Sequence, residues 1–138
     1  MRKRVRGIKK KISLIAALII LCFVVQADAK QSNFYGQVNK FTVYGYCACK
    51  KCCGKTDGIT YTETKAIQDR TIAVDQNSIP LGSTVLIYYE NSLVGIYQAE
   101  DIGADIKGNK IDMYFDSHSD ANDWGVRECE VIIVDAKG

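Results

Sequence analysis

The strongest constraint on the fold is a series of six short segments rich in β-branched and aromatic residues, separated by turn-forming segments. Apolar and polar residues alternate within several of them, as half-buried strands require, and no long helical repeat follows residue 40. This spacing predicts an all-β barrel or sandwich. We expect strands at 41–47, 71–75, 83–89, 94–101, 110–115 and 127–134, and at most one short helix, within 117–124, with Ser117 or Ser119 as its N-cap.

The N-terminal segment has the composition of a targeting sequence rather than of a folded domain. Seven basic residues fall within 1–11, an apolar run covers 12–25, and Ala27-Asp28-Ala29 follows. Because the run is shorter than the roughly 20 residues of a comfortable bilayer span, we predict a secretory signal peptide at 1–29. An uncleaved anchor is the alternative. Residues 30–40 are predicted to be a flexible lead-in and 41–138 a single domain.

Removal of 1–29 changes the charge of the chain. The remainder has 11 Lys and Arg against 15 Asp and Glu, a formal charge of −4, although the whole chain carries +2. A domain with this charge and no basic cluster is a poor candidate for binding nucleic acid. We therefore expect a secreted, extracellular or cell-wall-associated protein that contacts the membrane only through its signal peptide.

The cysteines allow two interpretations. Of the five cysteines outside the predicted signal peptide, four lie within seven residues and the fifth is near the C-terminus. Secretion favours disulfides, with the last cysteine bridged to the early cluster and a second bridge inside or beside it. The alternative is a thiolate metal site, since Cys49 and Cys52 have zinc-knuckle spacing. The disulfide interpretation is preferred, no metal or other cofactor is predicted, and the only histidine, His118, is expected in a surface turn. The disulfide candidates are Cys47, Cys49, Cys52, Cys53 and Cys129.

Three aspartates fall at or inside predicted strands. Asp75 and Asp101 end strands, and Asp112 lies within one. Acidic residues are unfavourable in strands, so such positions often serve function, although three solvated strand-end acids are the alternative. Alternation places Ile111, Met113 and Phe115 on one face of the strand and Lys110, Asp112 and Tyr114 on the other.

Six short motifs in order resemble one family over about residues 41–134. They are TIAVD at 71–75, Ile79-Pro-Leu-Gly-Ser83, Glu100-Asp-Ile-Gly103, Ile106-Lys-Gly108, Lys110-Ile-Asp-Met-Tyr114 and Trp124-Gly-Val-Arg127. This series resembles the 3D domain, which is named for three aspartates and is related to the catalytic barrel of membrane-bound lytic transglycosylase A. The cysteine cluster is similar to that of a cysteine-bearing subgroup of the family. The resemblance implies a six-stranded double-psi β-barrel.

The resemblance also implies a function. It predicts a lytic transglycosylase that cleaves the MurNAc-GlcNAc bond of peptidoglycan glycan strands, leaves 1,6-anhydro-muramic ends and acts as a monomer without a cofactor. In this assignment Asp112 is the general acid and base, Asp101 raises its pKa, and Asp75 holds the hydrogen-bond geometry. The implied substrate-binding residues are Lys107, Gly103, Tyr114 and Thr62, and Trp124, Tyr97 and Tyr114 are candidates for stacking on sugar rings.

Two departures from the family pattern leave a second function open. Thr62 is followed by Glu63 where many relatives have glycine, and the loop 101–108 carries an additional Asp105. The second change lies beside the implied site. A non-catalytic wall-binding or wall-loosening module of the expansin type is therefore the alternative function.

Overall fold

The computed structural model describes residues 36–53 and 57–136, with the side chains of Cys53, Asp135 and Ala136 excepted. The predicted signal peptide (1–29) and residues 30–35 of the predicted lead-in lie outside these residues. Within the described ranges, neither of the helices has the length and apolar character needed to cross a bilayer.

All six predicted strands are present, and the predicted all-β fold is confirmed. They are β1 (Val38–Tyr46), β2 (Thr71–Val74), β3 (Ser83–Tyr89), β4 (Ser92–Asp101), β5 (Lys110–Tyr114) and β6 (Val126–Ala136). The helices are α1 (Lys50–Cys53) and α2 (His118–Trp124). The expectation of one helix at most was wrong, because the cysteine cluster itself forms a helical turn. β1 also begins at Val38, inside the segment predicted as a flexible lead-in.

The strands close into a barrel in the order β1-β5-β2-β4-β3-β6. β1 pairs with β5 and β2 with β4 in parallel, and the other four pairings are antiparallel. Closure gives every strand two hydrogen-bonded neighbours, so the barrel has no open edge on which another chain could pair.

The interior of the barrel is filled by one side of each strand. On β5 the predicted alternation is confirmed: Ile111 and Met113 belong to the buried core, and Phe115 packs against it. Asp112, between them, is turned to the outside of the barrel, where it lines a surface cavity. The core cluster consists of Phe41, Val43, Ile72, Val74, Ile79, Val85, Ile87, Tyr97, Ala99, Ile111, Met113, Cys129, Val131 and Ile133.

The short helix α2 lies against the outer face of β1. Ser117 is its N-cap, accepting a hydrogen bond from the backbone N–H of Asp120 at 3.0 Å. Gly45 permits the close approach, because a Cβ there would lie 2.6 Å from the carbonyl oxygen of Ala121. Trp124 closes the contact by donating its indole N–H to the carbonyl of Val43 at 3.1 Å.

The predicted disulfide between Cys129 and the early cluster was wrong. Cys129 on β6 pairs with Phe41 on β1 and is a buried thiol of the core. Cys47 lies six residues further along the chain, which is about 20 Å of extended strand. A disulfide requires Cα atoms no more than about 7 Å apart, so this bridge would require the barrel to rearrange.

The barrel core predicts a large contrast between two isoleucines on neighbouring strands. Ile87 on β3 is fully buried, whereas Ile96 on β4 is 55% exposed. We expect Ile87→Ala to lower the free energy of unfolding by about 2–5 kcal/mol, because it removes buried methyl groups and leaves a cavity. The matched Ile96→Ala variant should change it by less than about 0.5 kcal/mol. Urea unfolding of both variants measures the difference, and equal losses would contradict the assigned orientation of β3 and β4.

Candidate active site

Two of the three aspartates are brought together by an irregularity in the parallel pairing of β2 with β4. Ile72 pairs with Ala99, but the register then shifts, so that Ala73 pairs with Asp101. On its other side Ala73 pairs with Asp112 of β5. Without the shift, Glu100 would stand opposite Ala73. The bulge therefore places both aspartates beside the small Ala73, and all three line one cavity.

The carboxylate of Asp101 is held by three donors from three places in the chain. The hydroxyl of Tyr46 donates to Oδ2 at 3.1 Å, and the backbone N–H of Tyr61 donates to Oδ1 at 2.9 Å. The N–H of Ile102 donates to Oδ1 at 3.0 Å. These bonds fix the orientation of a negative charge next to Asp112.

Asp112 has a very different environment. Its Oδ1 is buried and has no hydrogen-bond partner among the described residues. Burial raises the pKa of Asp112 from 3.8 to about 6, and the negative charge of Asp101 contributes to the increase. The carboxyl therefore gains and loses its proton close to neutral pH, which is the property that general acid and base catalysis requires.

Asp75, the third aspartate, is directed at the following loops rather than into this cavity. Its Oδ2 accepts the backbone N–H of Gly108 at 2.8 Å, and its Oδ1 accepts two donors of Asn77, each at 3.0 Å. The bond from Gly108 is the largest cause that lowers the pKa of Asp75. Asp75 thus anchors the end of the loop 102–109, part of which forms the wall of the cavity around Asp112.

The cavity around Asp112 continues past it on both sides. On one side a space of about 440 Å³ extends over Asp101 and the loop after it. On the other side a space of about 320 Å³ extends over Tyr44 and Lys110. The two spaces share the walls formed by Tyr46, Cys52, Asp105, Ile106 and Asp112. Asp112 therefore lies at the junction of an elongated cleft.

The predicted substrate-binding residues occupy different positions around this cleft. Gly103 lines it. Tyr114 is buried beneath Tyr46, in an edge contact with ring centroids 5.4 Å apart. Thr62 bonds to neighbouring threonine hydroxyls and organises the loop that carries the N–H of Tyr61. Lys107 is exposed and lies near Asp75 rather than in the cleft wall.

Two of the proposed stacking aromatics face away from the cleft. Tyr97 is 2% exposed in the core. Trp124 packs against the core, with the guanidinium of Arg127 4.2 Å from its ring centroid. Neither ring has a face available to a sugar, so the sequence-based suggestion was wrong for both. Tyr44, Tyr46 and Tyr61, which were not predicted from the sequence, are aromatic residues that line the cleft.

One group of residues in the described part of the chain has the ligand atoms for a metal ion. The ligand atoms of Cys47, Cys49, Cys52 and His118 all lie within 4.8 Å of one another. The expectation that His118 is an ordinary surface turn residue was therefore wrong, because its ring faces three thiols. The second predicted disulfide is likewise not formed among these residues, which the structure shows as thiols.

The chain resembles known proteins over the barrel. Residues 70–135 match the 3D domain family, as predicted. Two similar proteins come from Bacillus subtilis (strain 168). The cell wall-binding protein YocH is 44% identical over 84 residues, 59% of this chain and 28% of YocH. The putative cell wall shaping protein YabE is 36% identical over 108 residues, 77% of this chain and 25% of YabE. This chain thus spans only about a quarter of the length of these relatives.

Among solved structures, the crystal structure of MltA from E. coli is similar. The two chains align with a TM-score of 0.48 and 20% identity. The alignment covers 56% of this chain and 27% of MltA.

The site predicts an unusual dependence of stability on pH. The folded carboxyl of Asp112 ionises near pH 6 and the unfolded one near 3.8, so the contribution of this carboxyl to the free energy of unfolding falls as the pH rises through this interval. Asp112→Asn has no carboxyl at this position to ionise. Its free energy of unfolding relative to wild type should therefore grow by up to about 3 kcal/mol between about pH 4 and pH 7.5. Urea unfolding across this range measures the change. Asp123→Asn, at an exposed position on α2, is the control. If the free energies of unfolding of Asp112→Asn and wild type followed parallel curves against pH, the burial of the Asp112 carboxyl would be contradicted.

Proposed function

Because this chain carries a 3D domain over residues 70–135, we propose that it is a lytic transglycosylase that cleaves the glycan strands of peptidoglycan. The observation that carries the proposal is the carboxyl of Asp112. It has a pKa of about 6 and stands at the junction of an elongated cleft, beside the charged Asp101. A single proton-exchanging acid between two adjoining spaces leaves room for sugars on both sides of the broken bond.

In the proposed reaction Asp112 acts first as an acid. Its protonated carboxyl donates to the glycosidic oxygen as the bond between C1 of the muramic residue and that oxygen breaks. The electron pair of the broken bond leaves with the departing sugar, and positive charge develops at C1. The carboxylate of Asp112 then accepts the proton of the 6-hydroxyl, whose oxygen bonds to C1 and closes the 1,6-anhydro ring. Asp112 ends protonated, as it began, so the reaction takes up no proton from solvent.

The neighbouring residues support this role. The charge of Asp101 lies close to the reacting carbon and stabilises the developing positive charge, while it also favours the protonated form of Asp112. Tyr46 and the backbone N–H groups of Tyr61 and Ile102 hold Asp101 in place. Asp75 acts at a distance, by fixing the loop 102–109 through Gly108. It is a positioning residue in this account.

The two ends of the cleft supply the binding sites for sugars on either side of the broken bond. Tyr61 and the backbone at Gly103 line one side, and Tyr44 lines the other. Tyr114 contributes by supporting Tyr46 from beneath. Thr62 contributes by shaping the loop of Tyr61. Lys107, exposed on the same loop as Gly103, is available to a peptide carboxylate beyond the cleft.

The names of the relatives favour the cell wall as the place where this chain acts. YocH is named for binding the cell wall and YabE for shaping it. Secretion through the predicted signal peptide 1–29 would deliver this chain to the same place. Its partner would then be peptidoglycan glycan strands rather than nucleic acid.

A cell-wall-binding module without catalysis is the second candidate function. Two observations favour it: the name of YocH, and the additional carboxylate of Asp105, which lies in the shared wall of the cleft. A second acid at this point places negative charge where the substrate would lie.

Digestion of purified sacculi tests the proposal. We expect the wild-type protein to release muropeptides with 1,6-anhydro ends, detected by mass spectrometry. Asp112→Asn should lower the rate by at least about 100-fold, because it removes the only group that transfers the proton. The isosteric control Asp123→Asn should retain the wild-type rate.

The other outcomes decide between the candidates. Reducing ends would show hydrolysis in place of transglycosylation. Sedimentation with sacculi without release of fragments would favour the binding module. Full turnover by Asp112→Asn would exclude Asp112 as the acid, whatever product is formed.

A further inference from the structure

Three thiols and an imidazole converge next to the cleft from two separate parts of the chain. Cys47 follows the end of β1, Cys49 and Cys52 belong to the loop and helix α1, and His118 begins α2. The Sγ atoms lie 3.7 Å (Cys47), 3.8 Å (Cys49) and 3.4 Å (Cys52) from Nδ1 of His118. The Sγ atoms of Cys47 and Cys52 are 3.5 Å apart. His118 is 66 or more residues away from these cysteines in sequence, so only the fold brings it to them.

These distances correspond to the edges of a tetrahedron of metal ligands. Zinc binds sulfur at about 2.3 Å and imidazole nitrogen at about 2.0–2.1 Å, which gives ligand-to-ligand edges of about 3.5–3.8 Å in a tetrahedral site. Four of the six edges, at 3.4–3.8 Å, fall close to this interval, and all the ligand atoms lie within 4.8 Å of one another.

We propose that Cys47, Cys49, Cys52 and His118 bind one zinc ion in a closed, four-coordinate structural site. Three thiolates and one imidazole are among the ligand sets that structural zinc uses. Soft sulfur ligands disfavour calcium and magnesium, which prefer oxygen. The ligand set fills all four positions and leaves none for a water molecule, so the ion is assigned a structural and not a catalytic role.

The surrounding fold holds the ligands at this spacing. Gly45 allows α2 to lie directly on β1, since any larger residue would strike the carbonyl of Ala121. The N–H of Phe115 also donates to the carbonyl of Tyr46 at 2.8 Å, which fixes the start of the α2 segment next to Cys47. The approach of α2 to β1 thus sets the distance between His118 and the thiols.

A zinc ion at this site would affect the cleft, because one of its ligands lines the cleft wall. Cys52 lines both cavities beside Asp112. A bound zinc ion would tie the short helix α1 to β1 and to α2 and so fix this wall. The inference concerns metal binding alone and does not depend on the reaction proposed for Asp112.

The test is the metal content of the full-length chain, produced with added zinc and purified under reducing conditions. We expect one zinc ion per chain by elemental mass spectrometry. Cobalt(II) in its place should give a sulfur-to-cobalt charge-transfer band and the intense visible absorption of a tetrahedral site. His118→Ala should shift the visible absorption, because it removes the imidazole from the coordination of cobalt, and should weaken zinc binding.

Adjacent cysteines provide a matched control. Cys52→Ser should lose stoichiometric zinc, whereas Cys53→Ser and the core variant Cys129→Ala should retain one ion per chain. Circular dichroism establishes whether each variant is folded.

Three results would overturn the proposal. The first is a wild-type chain without stoichiometric zinc that shows a disulfide within the cluster. The second is a His118→Ala chain with unchanged zinc affinity and a visible cobalt spectrum identical to that of the wild type. The third is loss of zinc from Cys53→Ser with retention in Cys52→Ser, which would show that the assigned ligand set is wrong.

Discussion

The register shift between β2 and β4 is the feature on which the candidate site depends. It occurs between Ile72 and Ala73 and turns Asp101, rather than Glu100, toward Asp112. Glu100 is then free to bond elsewhere, and it accepts Arg70 in an ion pair at 2.7 Å. With a regular pairing of β2 and β4, Glu100 would lie in the cleft in place of Asp101. One extra residue in β4 thus determines which carboxylate raises the pKa of Asp112.

The two aspartates receive opposite environments from the same barrel. Three donors hold Asp101 as an oriented charge, whereas Asp112 has a buried oxygen to which no described residue donates a hydrogen bond. Because their environments differ, two chemically identical side chains take different roles. Loops form the walls of the cleft around Asp112. Asp75 holds one wall through Gly108, and the cysteine cluster contributes Cys52 to the other.

The sequence predicted the strands well, because alternation and β-branched residues act locally. It also predicted that Asp112 faces away from the core, since Ile111 and Met113 fix the face of β5. The bulge could not be predicted, because it depends on the pairing of strands more than 20 residues apart. Asp75 ends a strand as Asp101 does, but its carboxylate binds the loop through Gly108.

The cysteines were misinterpreted for a related physical reason. Spacing within the cluster is visible in the sequence, but the fourth ligand is not. His118 reaches the thiols only because α2 folds back on β1 at Gly45. Cys129 was expected to complete a bridge, yet its position opposite Phe41 is set by the pairing of β6, which composition does not reveal.

The central claim is that Asp112 keeps its proton near neutral pH because of burial and of Asp101. Carbon-13 NMR titration of the aspartate side-chain carboxyls measures this directly, with Asp112→Asn identifying the signal. We expect one carboxyl with a midpoint near pH 6, and a lower midpoint for that signal in Asp101→Asn. A midpoint for Asp112 at the ordinary aspartate value of about 3.9 would contradict it.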